Sequence, residues 1–192
     1  MVYFFRSQPD VFQTHYSIIT GKDKHENDLL IKHGFRDLNY IWFHTDRYAS
    51  GHIYLQLHAN QKTIEEVPKE VIQDCLQLCK SESKEGNKLS QCTIIGTPWH
   101  NLRKAGYMKP GEVSFKSTKA VKKMECFGRD NQTLNKLKKS RVEIVNNVET
   151  LLHEAKRSKD REYLNKYVED NRERLLEEEN QRKLAKRKLK RH

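Results

Sequence analysis

Two histidines, two aromatic rings and an amide recur on alternate positions of one short stretch, and that spacing is where chemistry is first expected. Residues 41–57 read Ile-Trp-Phe-His-Thr-Asp-Arg-Tyr-Ala-Ser-Gly-His-Ile-Tyr-Leu-Gln-Leu. Both ends alternate with the period of a strand, and Asp46, Ser50 and Gly51 between them favour a turn, so the stretch predicts a hairpin. Side chains alternate across a strand, which puts Trp42, His44, His52, Tyr54 and Gln56 on one face, with Arg47 on the loop. Ile41, Phe43, Ile53, Leu55 and Leu57 take the other. The first face offers flat rings for stacking on bases and imidazole N–H groups for phosphates. A covering element would equally bury the same side chains and satisfy both imidazoles by hydrogen bonds, and spacing alone leaves both readings open. Two histidines near a lysine can also cleave a phosphodiester without metal. No carboxylate cluster accompanies this pair, so no catalytic residue is assigned and no enzyme is expected.

Other candidates lie at the ends of predicted strands. Residues 2–5 and 16–20 are β-rich, and Gly21-Lys22 after the second can set an amide and an ammonium against a phosphate. A polar stretch through Asn27 leads into a short helix expected from about Leu29 to Gly34. Pro68 opens a helix over residues 68–81, with Val67, Val71, Cys75, Leu78 and Cys79 at helical spacing. Residues 92–96 predict a strand, followed by Trp99 with Arg103 and Lys104, where an aromatic and cations can meet a nucleotide or simply cap the core. Pro110-Gly111 marks a turn, and residues 113–115 and 120–126 predict two more strands.

Beyond Asn131 the chain has no glycine or proline. Leu134, Leu137, Arg141, Ile144, Val148, Leu151 and Ala155 follow a heptad seam, which predicts a helix that pairs with a partner helix through residues 134–155. Arg182, Lys183, Lys186, Arg187, Lys188, Lys190 and Arg191 then form a basic run suited to counterion release from a phosphate backbone. The fold class expected is α+β: an antiparallel sheet packed with one or two helices over residues 1–128, then a long charged helical or coiled-coil extension over residues 129–192.

Charge supports a polyanionic partner. The 192 residues carry a net +11, and residues 131–192, with 18 basic and 11 acidic side chains, hold +7 of it. Mean hydropathy is −0.94. No apolar run is long enough for a signal peptide or membrane span, so a cytoplasmic protein is expected, with the basic run also suited to nuclear import. The four cysteines and nine histidines are scattered. Free thiols, no metal site and no cofactor are the expectation.

Gly21-Lys22 with Glu26-Asn27-Asp28, then Ile41-Trp42-Phe43-His44, Gly51-His52-Ile53 and Met108-Lys109-Pro110-Gly111-Glu112-Val113 resemble the motif series of the NFACT-R domain. The layout is similar to the coiled-coil-domain-containing protein 25 family. The likeness covers about residues 1–125, with Gly21, Asn27, Asp28, Trp42, His44 and His52 at motif positions. In one departure, Ala49-Ser50-Gly51-His52 stands where the family commonly has Pro-Gly-Ser-His. The resemblance implies a non-catalytic RNA-binding module, associated with ribosomes or translation through transfer or ribosomal RNA. Lys22, Asn27, Trp42, His44, Arg47, His52, Trp99, Arg103, Lys104 and the basic run are its candidate contacts. A coiled-coil interaction protein and a DNA-binding protein are the alternatives, because charge alone does not separate DNA from RNA.

Overall fold

The computed structural model describes residues 1–9, 14–34 and 36–190. Strands β1 (Val2–Ser7) and β2 (Tyr16–Gly21) pair antiparallel from Val2↔Gly21 to Ser7↔Tyr16. The predicted hairpin is present as β3 (Tyr40–Thr45) and β4 (Ile53–Gln56), in the register Ile41↔Leu55, Trp42↔Tyr54, Phe43↔Ile53. Strands β5 (Gln91–Pro98) and β8 (Lys122–Phe127) extend the sheet beyond β3. Two-residue strands β6 (Leu102–Arg103) and β7 (Ser114–Phe115) make a separate small hairpin.

Period-2 alternation gives the main sheet two apolar faces. On one, Ile18, Ile41, Phe43, Ile53 and Leu55 pack under helix α2 (Lys69–Ser81), whose Val71, Cys75, Leu78 and Cys79 are buried. Pro68 sits one residue earlier than its expected place, at the N-cap. On the other, Val2, Phe4, Ile19, Tyr40, Trp42 and Tyr54 join Leu30 and Ile31 of helix α1 (Lys24–His33). Helix α1 begins five residues before Leu29, because Asp23 caps it by accepting from the amides of His25 and Glu26 at 2.9 and 3.2 Å.

Residues after 128 stay on this scaffold, and the expected continuous seam is corrected. Helix α3 (Asn131–Ser140) stops at Arg141, and β9 (Val142–Ile144) pairs with β1 as the outermost strand in the order β8-β5-β3-β4-β2-β1-β9. Helices α4 (Val148–Ser158), α5 (Tyr163–Asp170) and α6 (Arg172–Leu189) follow. Leu134, Leu137, Ile144, Val148, Leu151 and Ala155 are all buried inside the molecule, as are Leu164, Val168 and Leu175. The seam is therefore filled by this chain's own core and is not open to a partner helix. Among the described residues up to 128 the sheet carries the helices α1 and α2, and residues of α3 to α6 join the same two cores.

Arg141, the charged member of the seam, has an ionic role instead. It pairs with Glu143 and Glu179 at 3.0 and 2.7 Å, and its guanidinium lies 4.8 Å from the Tyr3 ring centroid. Arg182 reaches Glu143 at 3.3 Å, so with the Arg141–Glu179 pair α6 is clamped across β9 up to Arg182, while Lys183 pairs at 2.5 Å with Glu179 of its own helix. Among the described residues no helix is long and apolar enough to cross a membrane.

Candidate nucleic-acid interface

The polar face of the hairpin does gather as expected, but most of it is internal. Trp42 is 1% and His52 2% exposed, and Tyr54 and Gln56 are also buried. Trp42 Nε1 donates to His52 Nδ1 at 3.0 Å, which fixes the proton on Nε2, and that nitrogen donates to the Gly111 carbonyl at 3.0 Å. Burial, and next the neighbouring His44, push the His52 imidazole down to about 4. Neither Trp42 nor His52 is available for base stacking or phosphate contact, and this corrects their expected role.

The same bonds remove the nuclease reading. The His44 and His52 rings are 5.1 Å apart, so the pair is assembled. Yet both ring nitrogens of His52 are engaged within the fold, leaving it no free position for proton transfer.

What this buried set supports is the loop of residues 104–113 between β6 and β7. Gly111, at φ +82°, donates its amide to Asp28 at 2.9 Å and accepts from His52, and Lys104 pairs with Asp28 at 3.0 Å. Lys104 also donates to the carbonyls of Lys109 and Glu112 at 2.7 and 2.9 Å. The motif positions Asp28, Trp42 and His52 thus converge on one backbone segment that glycine's left-handed freedom permits.

Beside that loop opens a cleft of about 540 Å³, lined in part by Lys22, Lys24, Asn27, His44, Ser50, Gly51, Lys84 and Gly111. His44, half-buried against the Trp42 ring, donates from Nδ1 to its neighbour's Thr45 carbonyl at 2.7 Å, which leaves Nε2 as an acceptor. Burial lowers its basicity too. Asn27 is buried, and its Oδ1 has no hydrogen-bond partner among the described residues. It lies 2.5 Å from where a Cβ on Gly21 would be, so only glycine lets α1 and β2 approach this closely. Asp23, Glu82 and Glu85 balance the three lysines, so the cleft alone is not strongly cationic.

The cationic surface starts at its rim. Lys22 lines the cleft and also a second groove, shared with Arg182, Lys183 and Lys186 of α6. Lys186, Arg187, Lys188 and Lys190 are exposed and have no ion-pair partner among the described residues, while Arg191 lies outside them. Of the other candidates, Arg47 and Arg103 are exposed and separate from this rim. Trp99 packs on Gly34, where a Cβ would meet its ring at 2.7 Å, so it caps the core. Lys24 and Lys84 are not singled out by the sequence because the cleft draws them from separate segments. All four cysteines are buried free thiols, with Cys79 pushed up to about 12 and Cys126 to about 11 by burial.

Residues 1–117 match the family described as the NFACT protein RNA binding domain. The chain belongs to this family. The NFACT-R match covers the sheet up to β7 together with every residue of the Trp42, His52, Asp28 and Gly111 set. Protein JLP2 of Saccharomyces cerevisiae is 61% identical over 186 residues, spanning 97% of this chain and 89% of that protein. Coiled-coil domain-containing protein 25 of Bos taurus is 42% identical over 143 residues, spanning 74% of this chain and 67% of the relative. A solved structure of the C-terminal part of the fibronectin/fibrinogen-binding protein from Streptococcus suis shares the fold, with a TM-score of 0.54 at 19% identity. That likeness covers 72% of this chain and 49% of the other.

Proposed function

We propose that this NFACT-R protein is a cytoplasmic, non-catalytic module that holds structured RNA, transfer or ribosomal, in association with the ribosome. Its phosphate track runs from the exposed end of α6, past Lys22, to the cleft beside Lys24. The observation that carries this reading is the place of Lys22, which belongs to both the α6 groove and the cleft and so joins the basic run to the family-motif surface. Buried Trp42 and His52 hold the cleft wall and touch no ligand.

Fluorescence polarisation with labelled transfer RNA and a ribosomal RNA fragment, across a salt series, tests this. Each of Lys22→Ala and Lys24→Ala is expected to weaken binding and to reduce the salt slope by about 1. Unchanged affinity and slope in both variants would remove the cleft from the interface. Cosedimentation of the protein with ribosomal subunits, lost in the double variant, tests the ribosomal part.

A further inference from the structure

The loop held by His52 and Asp28 presents an aromatic side chain that nothing in the packing uses. Tyr107, at its tip, is 83% exposed, more than any other large hydrophobic side chain among the described residues. Exposed aromatics normally sit on the edge of a core or on slack chain. Here the flanking backbone is tightly tied: Met108 N donates to the Ala105 carbonyl at 3.0 Å, and Ala105 N to Met108 Sδ at 3.4 Å. Lys109 N donates to the Glu112 carboxylate at 3.0 Å, and Glu112 N to the Lys109 carbonyl at 3.0 Å. Below these, Lys104, Asp28 and His52 fix the loop to the sheet.

A phenol ring held out on a stiff loop has already lost most of the backbone freedom that binding would otherwise cost, and its own ring has only two rotatable angles. Lys109 is exposed on the same loop and Arg103 is exposed at the end of β6 just before it, and Pro110 and Gly111 form the adjoining wall of the cleft. A flat apolar face next to cations is what an unstacked base with its phosphate requires, whereas a continuous duplex offers no free base face to it.

We infer that Tyr107 is a stacking platform for one unpaired base, so that this module takes single-stranded or looped RNA in preference to uninterrupted duplex. The inference rests on the RNA-binding reading above and adds to it which RNA conformation is selected.

The test is polarisation on the full chain with two labelled probes of equal length, a single-stranded oligoadenylate and a blunt RNA duplex. For Tyr107→Ala we expect affinity for the single strand to fall about tenfold, the effect of losing one base–aromatic stack. Duplex affinity, melting temperature and salt slope are expected to stay the same, since no charge and no buried contact is removed. Tyr107→Phe keeps the face and is expected to bind as the parent does. An unchanged single-strand affinity in Tyr107→Ala, or an equal loss on both probes, overturns the stacking role while leaving RNA binding intact. If the parent protein binds transfer RNA but neither probe, this inference alone fails; if it binds none of the three at low salt, the RNA-binding reading fails and this inference with it.

Discussion

The roles of Trp42 and His52 follow from one hydrogen bond. With Trp42 Nε1 donating to His52 Nδ1, the imidazole must stay neutral, and charging it would put a second proton on Nδ1 and break the bond accepted from Trp42. Its basicity in the folded chain is lowered from 6.5 to about 4, so the unfolded chain takes up a proton in that range that the fold resists. The stabilising contribution is therefore complete above about pH 6.5 and is lost as pH falls through about 4, by up to about 3 kcal/mol. Thermal unfolding from pH 7.5 to 4 is expected to show this decline, and His52→Gln to flatten it. Removing the indole altogether, in Trp42→Ala, is expected to cost about 3–5 kcal/mol in denaturant unfolding, because a fully buried ring leaves a cavity. Alternation alone assigned these residues correctly to one face of a hairpin. Whether that face was wet or dry was not legible, because its cover comes from α1, the residue 104–113 loop and α4, far away in sequence.

At the scale of elements, local signals were readable where they were chemical and misleading where they were only periodic. Helix α1 was legible further back than expected, since Asp23 and Glu26 stand three apart ahead of an apolar run, a helix-start pattern. The heptad seam reads as one helix because Leu134, Leu137, Val148, Leu151 and Ala155 share that spacing. Inside it, Val142-Glu143-Ile144 alternates with period 2, buried, half-exposed, buried, and Asn147 takes a left-handed φ of +56°. Those few residues make a strand and a turn, and three-residue strands give little periodic signal. The consequence is measurable. A chain ending at residue 128 lacks β9, exposes the β1 edge and loses Leu137 and Leu151 from the two cores. It is expected to show no cooperative thermal transition; a sharp transition near that of the full chain would mean that the sheet closes without β9.

For the whole molecule, charge was the most legible property and its placement the least. The basic run was evident from composition, yet Arg182 is spent on clamping α6 to Glu143 and Lys183 on pairing with Glu179 of the same helix, and the residues beyond them are exposed. Neutralising Lys186, Arg187, Lys188 and Lys190 to Ala is expected to reduce the salt slope of single-stranded RNA binding by about 3. Because the apolar seam is filled internally, sedimentation is expected to give a monomer at all protein concentrations, and a concentration-dependent dimer would contradict that packing. The central claim is that RNA lies along the cleft rim and the end of α6 while the hairpin aromatics stay inside. Photocrosslinking the full protein to bound RNA, with the modified residues located by mass spectrometry, tests this most directly. Crosslinks are expected at Lys22 or Lys24, at Tyr107 and among residues 186–190, and none at Trp42. Crosslinks confined to Trp42, or to the opposite surface carrying α2, would contradict it.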